Sequence, residues 1–462
     1  MHDMVEIPTV ASALRRETFV GLTLALVSLS LGIVWATTTR PLNAPDEPAY
    51  LQAVMQVRKQ AALPEIHFDF ARNPAGEVVG TPGDAAAREY MTALGLVEPL
   101  RRIAYENVQP PLYFLVAGVL TRLVRPEPGV MLYAGWLVSA LFGAGVVYFC
   151  WAATRQLAPC APRWAVAVGA VIALLPEFCF INARVGNDSL ANCLGAATFY
   201  VWFRGLRDPR YDRTMGGAGT VVGLAILAKL TAVVLLPGLA LVVVFRAFQG
   251  RPGAVAARAL RRGARLAMGA GVSLVAVRGW WFVRNLIVYG EPSGTAAANR
   301  FWTLNLPGFD WRDPAARWDF ARATWLSFWG YFGWQTIPLP DVFYRQASWL
   351  SLLMTVVSVL AAARVVARHR RQRVPLPAYV WQATLLMGLT TVLVLALFVQ
   401  YSVTVAAQAQ GRYLYMAILP AALLFTGGLS AWARGPLVKW IALGLPILWL
   451  ATMNGAGLAH VP

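Results

Sequence analysis

Met215–Phe248 reads MGGAGTVVGLAILAKLTAVVLLPGLALVVVFRAF, an apolar run with Lys229 near its middle, Arg213 just before it and Arg246 near its end. At ~1.5 Å per residue the run is too long for one regular crossing of a ~30 Å hydrocarbon core. Arginines that flank membrane segments favour the cytoplasm, so both ends belong on one side. The run therefore reads as two short helices that meet at Lys229 on the opposite, outer side. That decision sets the orientation of every later segment.

Working outward, the rest of the chain is of the same kind. Of 462 residues, 58% are hydrophobic and 13% charged, whereas a water-soluble globule runs nearer a half and a quarter. The first apolar stretch, Phe19 to Ala36, runs into Thr-Thr-Thr-Arg without a small-residue cleavage site, so it is expected to stay as a membrane helix. Further spans are expected near residues 130–153, 164–182, 189–203, 266–283, 347–363, 379–401, 413–431 and 437–453. Gln109 to Val124 starts Gln-Pro-Pro-Leu-Tyr and carries Arg122, with Arg125 next, so it reads as an interfacial helix and not a crossing.

These readings predict an all-α polytopic membrane protein with about eleven transmembrane helices plus interfacial helices on the outer face. The N-terminus is expected in the cytoplasm and the C-terminus outside. Residues 1–290 would hold seven spans and a first outer loop, 37–128, and residues 291–346 a second outer loop with Trp302, Trp311, Trp318, Trp325, Trp329 and Trp334. The last four spans fall in 347–462. Loops around Arg204, Arg207, Arg210 and Arg213, then Arg246 to Arg265, then Arg364 to Arg373, face the cytoplasm. Orientation and anionic lipid therefore account for the net charge of +18, and no nucleic-acid partner is implied.

The polar chemistry is then expected outside. Pro41 to Tyr50 reads PLNAPDEPAY, with Asp46 and Glu47 adjacent at the membrane edge. A carboxylate at a membrane edge can act as a base toward a hydroxyl, and cations on the same face can stabilise negative charge on a phosphate. Asp46 is the first candidate base, although an Asp ahead of Pro48 is also a common helix cap. Asp188 lies in a short outer loop and is either a second acid or a cap. Lys229, Arg284 and Arg412 fall at outer helix ends and Arg184 lies beside Asp188, so these four are candidates for a phosphate. Asp46, Glu47 and Asp188 would be the ligands of a divalent cation, Mg or Mn, if one binds, although they form no dense carboxylate site. His2, His67, His369 and His460 show no ligand spacing, and the four cysteines form no CxxC motif. Cys179 and Cys193, near outer helix ends, are either buried free thiols or a disulfide.

The motifs Asn43 to Pro48, Gln109 to Tyr113, Gly186 to Leu190, Leu227 to Thr231, Arg284 to Pro292, Ser327 to Trp334 and Gln410 to Tyr413 occur in this order. Together they resemble the bacterial membrane family catalogued as domain of unknown function 2142, which in turn is similar to the GT-C glycosyltransferases, the group of protein O-mannosyltransferases and the lipid A aminoarabinose transferase. The resemblance implies a GT-C-like helical fold in the bacterial inner membrane with its active site on the outer face. It implies a sugar donor linked to a polyprenyl phosphate of the undecaprenyl type, and an envelope glycan, lipid or protein as acceptor. Tyr50, just after the first of these motifs, and Tyr113, Trp329 and Trp334, within the others, are candidates to contact sugar, acceptor or interface. Tyr50 stands where that family usually has histidine. The chain has no Gly-rich nucleotide fingerprint, which agrees with a lipid-linked donor. A transporter or flippase of lipid-linked sugar, or a non-catalytic scaffold of envelope-glycan assembly, are the alternative readings; no internal repeat of the transporter kind is visible.

Overall fold

A computed structural model describes residues 10–60, 63, 71–72, 78–79, 106–125, 127–208, 215–249, 256–294, 296, 309–432 and 435–461. His2, His67, Arg210, Arg213 and Trp302 lie outside the described residues. The described chain is almost entirely helical. In order come α1 (Val10–Thr38), α2 (Glu47–Gln60), α3 (Leu112–Leu120), α4 (Pro128–Leu157), α5 (Pro162–Leu174), α6 (Pro176–Asn182), α7 (Asn187–Arg207) and α8 (Met215–Ala228). There follow α9 (Leu236–Phe248), α10 (Ala256–Tyr289), α11 (Pro314–Trp329), α12 (Asp341–Gln372), α13 (Ala378–Thr404), α14 (Ile418–Trp432) and α15 (Pro436–His460).

Proline at N1 starts α4, α5, α6, α11 and α15, where its missing N–H costs no intrahelical bond. Pro176 does more than start a helix. It forces Leu175 into an extended conformation, and α5 and α6 meet at a bend of 65°. The short α6 is buried along its whole length, and it delivers the loop that leads into Asp188.

Each of the eleven expected spans coincides with helix, but length and apolarity give a smaller number. Among the described residues seven helices are long and apolar enough to cross a membrane, or eight with the bent pair α5–α6 counted once. The difference has physical causes. Helix α7 begins with buried Asn187, Asp188, Ser189 and Asn192, which lowers its hydropathy. Helices α8 and α14 have 14 and 15 residues, about 21 Å of rise, and so fall short of the core thickness on their own.

The break expected at Lys229 is present. Helix α8 stops at Ala228, Lys229 is extended at φ −154° and ψ 131°, and a 3-10 segment, Leu230–Leu235, leads into α9. The Gln109–Val124 segment is α3 followed by the 3-10 turn Thr121–Leu123, too short to cross. It packs on α2 through reciprocal arginine contacts: Arg122 donates to the carbonyls of Arg58 and Val57 at 3.1 Å each, and Arg58 donates to that of Val124 at 3.0 Å.

The bundle is held by close helix approach. At Gly219 an added Cβ would lie 2.0 Å from the carbonyl oxygen of Ala270, so α8 and α10 touch backbone to backbone, as small residues permit in membranes. Trp35 near the end of α1 donates to Asn454 of α15 at 3.0 Å, tying the first membrane helix to the last. Cys179 and Cys193 are buried free thiols. There are two small antiparallel hairpins among the described residues, Ala71–Arg72 with Val78–Val79 and Tyr331–Phe332 with Ile337–Pro338, the second set into the bundle by Phe332, which is buried against Trp35 and Phe180.

Candidate active site

Asp46 precedes α2 with φ +66°, in the left-handed region that Asp tolerates better than most side chains. Its carbonyl accepts from Tyr50 N at 3.0 Å and opens the helix, while its carboxylate is bonded by Arg412. A strained backbone held in place by such contacts is characteristic of working sites.

Arg412 sits in the first turn of the 3-10 helix Gly411–Ala417 and is 4% exposed. It donates to Gln410 Oε1 at 2.6 Å and to the carbonyl of Pro45 at 3.3 Å, and one of its Nη atoms lies 3.5 Å from Asp188 Oδ2. Asp188, in the first turn of α7, accepts from Lys229 Nζ at 2.5 Å. The four groups thus form a buried run of alternating charge, Asp46–Arg412–Asp188–Lys229. The ammonium of Lys229 also lies 5.1 Å from the centre of the Tyr413 ring.

The tryptophan-rich segment positions this run. Gly411 N donates to Ser327 Oγ at 2.8 Å, and Gln335 Nε2 donates to the carbonyl of Ala409 at 2.7 Å. An added Cβ at Gly411 would lie 2.3 Å from the backbone nitrogen of Phe328. Only glycine lets α11 come this close to the arginine.

These residues face a cavity of about 400 Å³. Asp46, Tyr50, Asp188, Lys229 and Arg412 line it together with further polar groups, and its apolar lining includes Leu230, Val233 and Val234 as well as Val394, Leu397 and Phe398 of α13. Charged and apolar lining in one cavity suits an amphiphile with an anionic head.

Five of the residues singled out in the sequence therefore meet in one cavity, and the others lie elsewhere. Glu47 is fully buried and turns away from Asp46, accepting from Trp136 Nε1 at 2.6 Å and from Val185 N at 3.2 Å. Burial raises its carboxyl above the usual range, against the pull of Arg184. Arg184 stacks over Trp136 and Phe180, with its guanidinium carbon 4.6 Å and 5.4 Å from the ring centres. Tyr113 is buried with its hydroxyl 2.6 Å from Ser139 Oγ, and it accepts from Gly186 N at 3.1 Å. Arg284, at the end of α10, stacks on Trp281 and Tyr289 and donates to Asn285. Trp329 is buried among Trp325, Phe328, Phe425 and Trp449, while Trp334 is 47% exposed beside the hairpin turn.

The three carboxylates expected for Mg or Mn are engaged otherwise in this structure. Glu47 belongs to the Trp136 contact, and Asp46 and Asp188 are already matched by Arg412 and Lys229. A hard cation needs several oxygen ligands in place of those cations. Among the described residues no group of three His, Cys, Asp or Glu side chains is placed to hold a metal.

Sequence reasoning passed over Glu106, Asn192, Tyr401 and Tyr413, which also line the cavity. For Glu106 the available signal was its place three residues before the Gln109–Tyr113 motif. Burial, reinforced by the charge of Asp46, pushes the Glu106 carboxyl up to about 8.

Residues 108–277 match the family described as dolichyl-phosphate-mannose-protein mannosyltransferase. No curated protein matches the chain in sequence. Among solved structures, ArnT from Cupriavidus metallidurans bound to undecaprenyl phosphate superposes with a TM-score of 0.50 at 17% identity, over 92% of this chain and 62% of that one. The apo oligosaccharyltransferase of Archaeoglobus fulgidus superposes with a TM-score of 0.51 at 14% identity, over 96% of this chain and 56% of that one. The chain thus spans roughly three fifths of the length of these proteins. The matches carry the wider GT-C group and not the narrower family of domain 2142. The multi-pass helical chain that brings Asp46, Asp188, Lys229 and Arg412 into one cavity has the fold of the GT-C glycosyltransferases.

Proposed function

We propose that this chain is an integral-membrane glycosyltransferase that moves a sugar from a polyprenyl-phosphate donor to an envelope acceptor, with inversion, on the outer face of the bacterial inner membrane. The observation that carries the reading is the cavity itself, whose lining combines the Asp46, Asp188, Lys229 and Arg412 charges with apolar side chains. The family description matched by residues 108–277, and the undecaprenyl phosphate named for the ArnT structure, agree with that chemistry. The arginine-rich loops support a cytoplasmic N-terminus and an outer-face site.

In this reading the lipid phosphate lies against Lys229 and Arg412, with its chain along the apolar side of α13. The acceptor hydroxyl approaches Asp46, which takes its proton while the acceptor oxygen bonds to the anomeric carbon. The bond from that carbon to the phosphate oxygen breaks, and its electron pair stays on the phosphate, where the two cations stabilise it. Asp188 bridges the cations and keeps them apart from each other before the phosphate docks. Tyr50 and Tyr413 supply ring faces and hydroxyls for the sugar.

The test is incubation of the purified protein with a panel of undecaprenyl-phosphate-linked sugars and envelope acceptors. Release of undecaprenyl phosphate together with a glycosylated product supports transfer. Translocation of the lipid without release, or binding with neither, replaces it with a flippase or a scaffold.

A further inference from the structure

The cavity holds one more acid than this transfer uses. Glu106 lies in a single 3-10 turn at residues 106–108 and is 5% exposed, on the wall that also carries Asp46, Asp188, Lys229 and Arg412. Its carboxyl is engaged by Gln109, but Oε2 is buried and has no hydrogen-bond partner among the described residues. The groups facing it come from every neighbouring element: Asp46 and Tyr50 from the start of α2, Lys229 from the break after α8, Tyr401 from α13, and Arg412 from the Gly411 turn.

Charge pairing decides what state of Glu106 this setting accommodates. Arg412 is bonded to Asp46 and Lys229 to Asp188, so each cation in the lining already has an aspartate. An ionised Glu106 would be a third anion beside two cations, with one desolvated oxygen unpartnered. Both penalties vanish when it carries a proton.

We propose that Glu106 is part of the anion site as a neutral acid, whose proton keeps a third negative charge out of the cavity so that Lys229 and Arg412 can receive a phosphate headgroup. The inference rests on the lipid-phosphate reading above. Burial and the neighbouring Asp46 hold the carboxyl near 8, so the proton is kept at neutral pH and lost within a range the protein can be studied in. The affinity for an anionic headgroup then falls as pH rises through that value.

The experiment is a titration of undecaprenyl phosphate against the full-length protein in nanodiscs, from about pH 6.5 to about pH 9.5, for wild type, Glu106→Gln and Glu106→Ala. Wild-type affinity is expected to weaken by about tenfold or more across that range, and both variants to lose this weakening. The headgroup's own ionisation acts on all three proteins alike and cancels in the ratio of their dissociation constants. Variants that follow the wild-type profile overturn the inference, as does loss of the lipid by both variants at neutral pH, which would mean that an ionised carboxylate is required. If Glu106→Gln fails to fold, the wild-type profile and Glu106→Ala still decide, because a wild type with no weakening is itself contrary. Binding without a Glu106-linked slope overturns this inference alone. Absence of undecaprenyl phosphate binding at every pH overturns the lipid-phosphate reading and this inference with it.

Discussion

Asp46 and Arg412 stand 366 positions apart in the chain and form a buried ion pair. The pair joins the start of α2 to the turn that follows α13. Because Arg412 also reaches Asp188, and Asp188 takes Lys229, four distant segments are drawn together at one point. Breaking such a pair by removing one partner leaves a buried charge uncompensated, at a cost of about 3–5 kcal/mol.

Asp46→Asn is therefore expected to separate chemistry from folding. Asparagine keeps a carbonyl oxygen for Arg412 but is no base, so sugar transfer should fall by about 10²–10⁴-fold. Binding of undecaprenyl phosphate should persist, since Lys229 and Arg412 remain. Transfer rate and lipid affinity measured on the same preparation check this; near-normal turnover removes Asp46 from the role of base.

Lys229→Met leaves Asp188 buried without its closest cation, whereas Lys229→Met with Asp188→Asn removes both members of the 2.5 Å pair. The double variant should melt at a higher temperature than the single Lys229→Met variant, because it no longer buries a lone carboxylate. It should not regain affinity for the lipid phosphate. Recovery of both together would make Lys229 a structural partner of Asp188 and nothing more.

How much of this was readable beforehand depended on the kind of information required. The interruption at Lys229 was legible because an ion in a long apolar run, flanked by arginines, leaves few membrane arrangements. That the Gln109–Val124 segment is too short to cross was legible from its length and its arginines in the same way. The partition of the acids was not legible: Asp46 and Glu47 are adjacent, yet the first meets Arg412 and the second meets Trp136 and Val185, a divergence set by tertiary contacts. Arg284 was grouped with the other cations by its expected height in the membrane, but helices apolar on all sides do not reveal which face looks inward. Glu106 had only its place three residues before the Gln109–Tyr113 motif to mark it, since the groups that face it come from elsewhere in the chain. The expected number of spans exceeds the seven or eight that length and apolarity alone mark among the described residues, because α7, α8 and α14 are short or polar at one end.

Gly411→Ala tests how the arginine is held. The new methyl would collide with the backbone of Phe328, at 2.3 Å from its nitrogen, and a backbone cannot swing aside as a side-chain tip can. The turn should shift and carry Arg412 away from Asp46. Transfer is expected to drop by about 10²-fold, the scale of a misplaced catalytic group, with helix content by circular dichroism unchanged. Full activity would show that the close contact with α11 does not position Arg412.

Glu47 is expected to act through position alone. Its oxygen pins the first turn of α2 to the loop before α7, and so fixes Asp46 relative to Asp188. Glu47→Gln retains an oxygen for Trp136 and Val185, while Glu47→Ala leaves both donors unpaired. The alanine variant should lower kcat with little change in the KM for donor, and the glutamine variant should restore most of the loss. Equal damage from both variants, or a rise in KM alone, contradicts a positioning role.

Glu106 also predicts how stability responds to pH. Its carboxyl moves from 4.5 in the exposed state to about 8 in the folded protein. Between those values the folded chain keeps a proton that the unfolded chain has released. The slope of the unfolding free energy follows protons bound in the unfolded state minus protons bound in the folded state, and is negative here. Glu106 thus contributes its full stabilisation below about pH 4.5, loses it as pH rises toward about 8, and gives no further slope beyond. Glutamine at this position cannot ionise and lacks the trend. Apparent melting temperatures of wild type and Glu106→Gln, measured in the same detergent from about pH 5 to about pH 9, should therefore diverge steadily as pH rises, with the variant the more stable at the alkaline end. Parallel curves, or a wild type that gains on the variant with rising pH, would assign Glu106 the ionised state and reverse its place in the charge balance of the cavity.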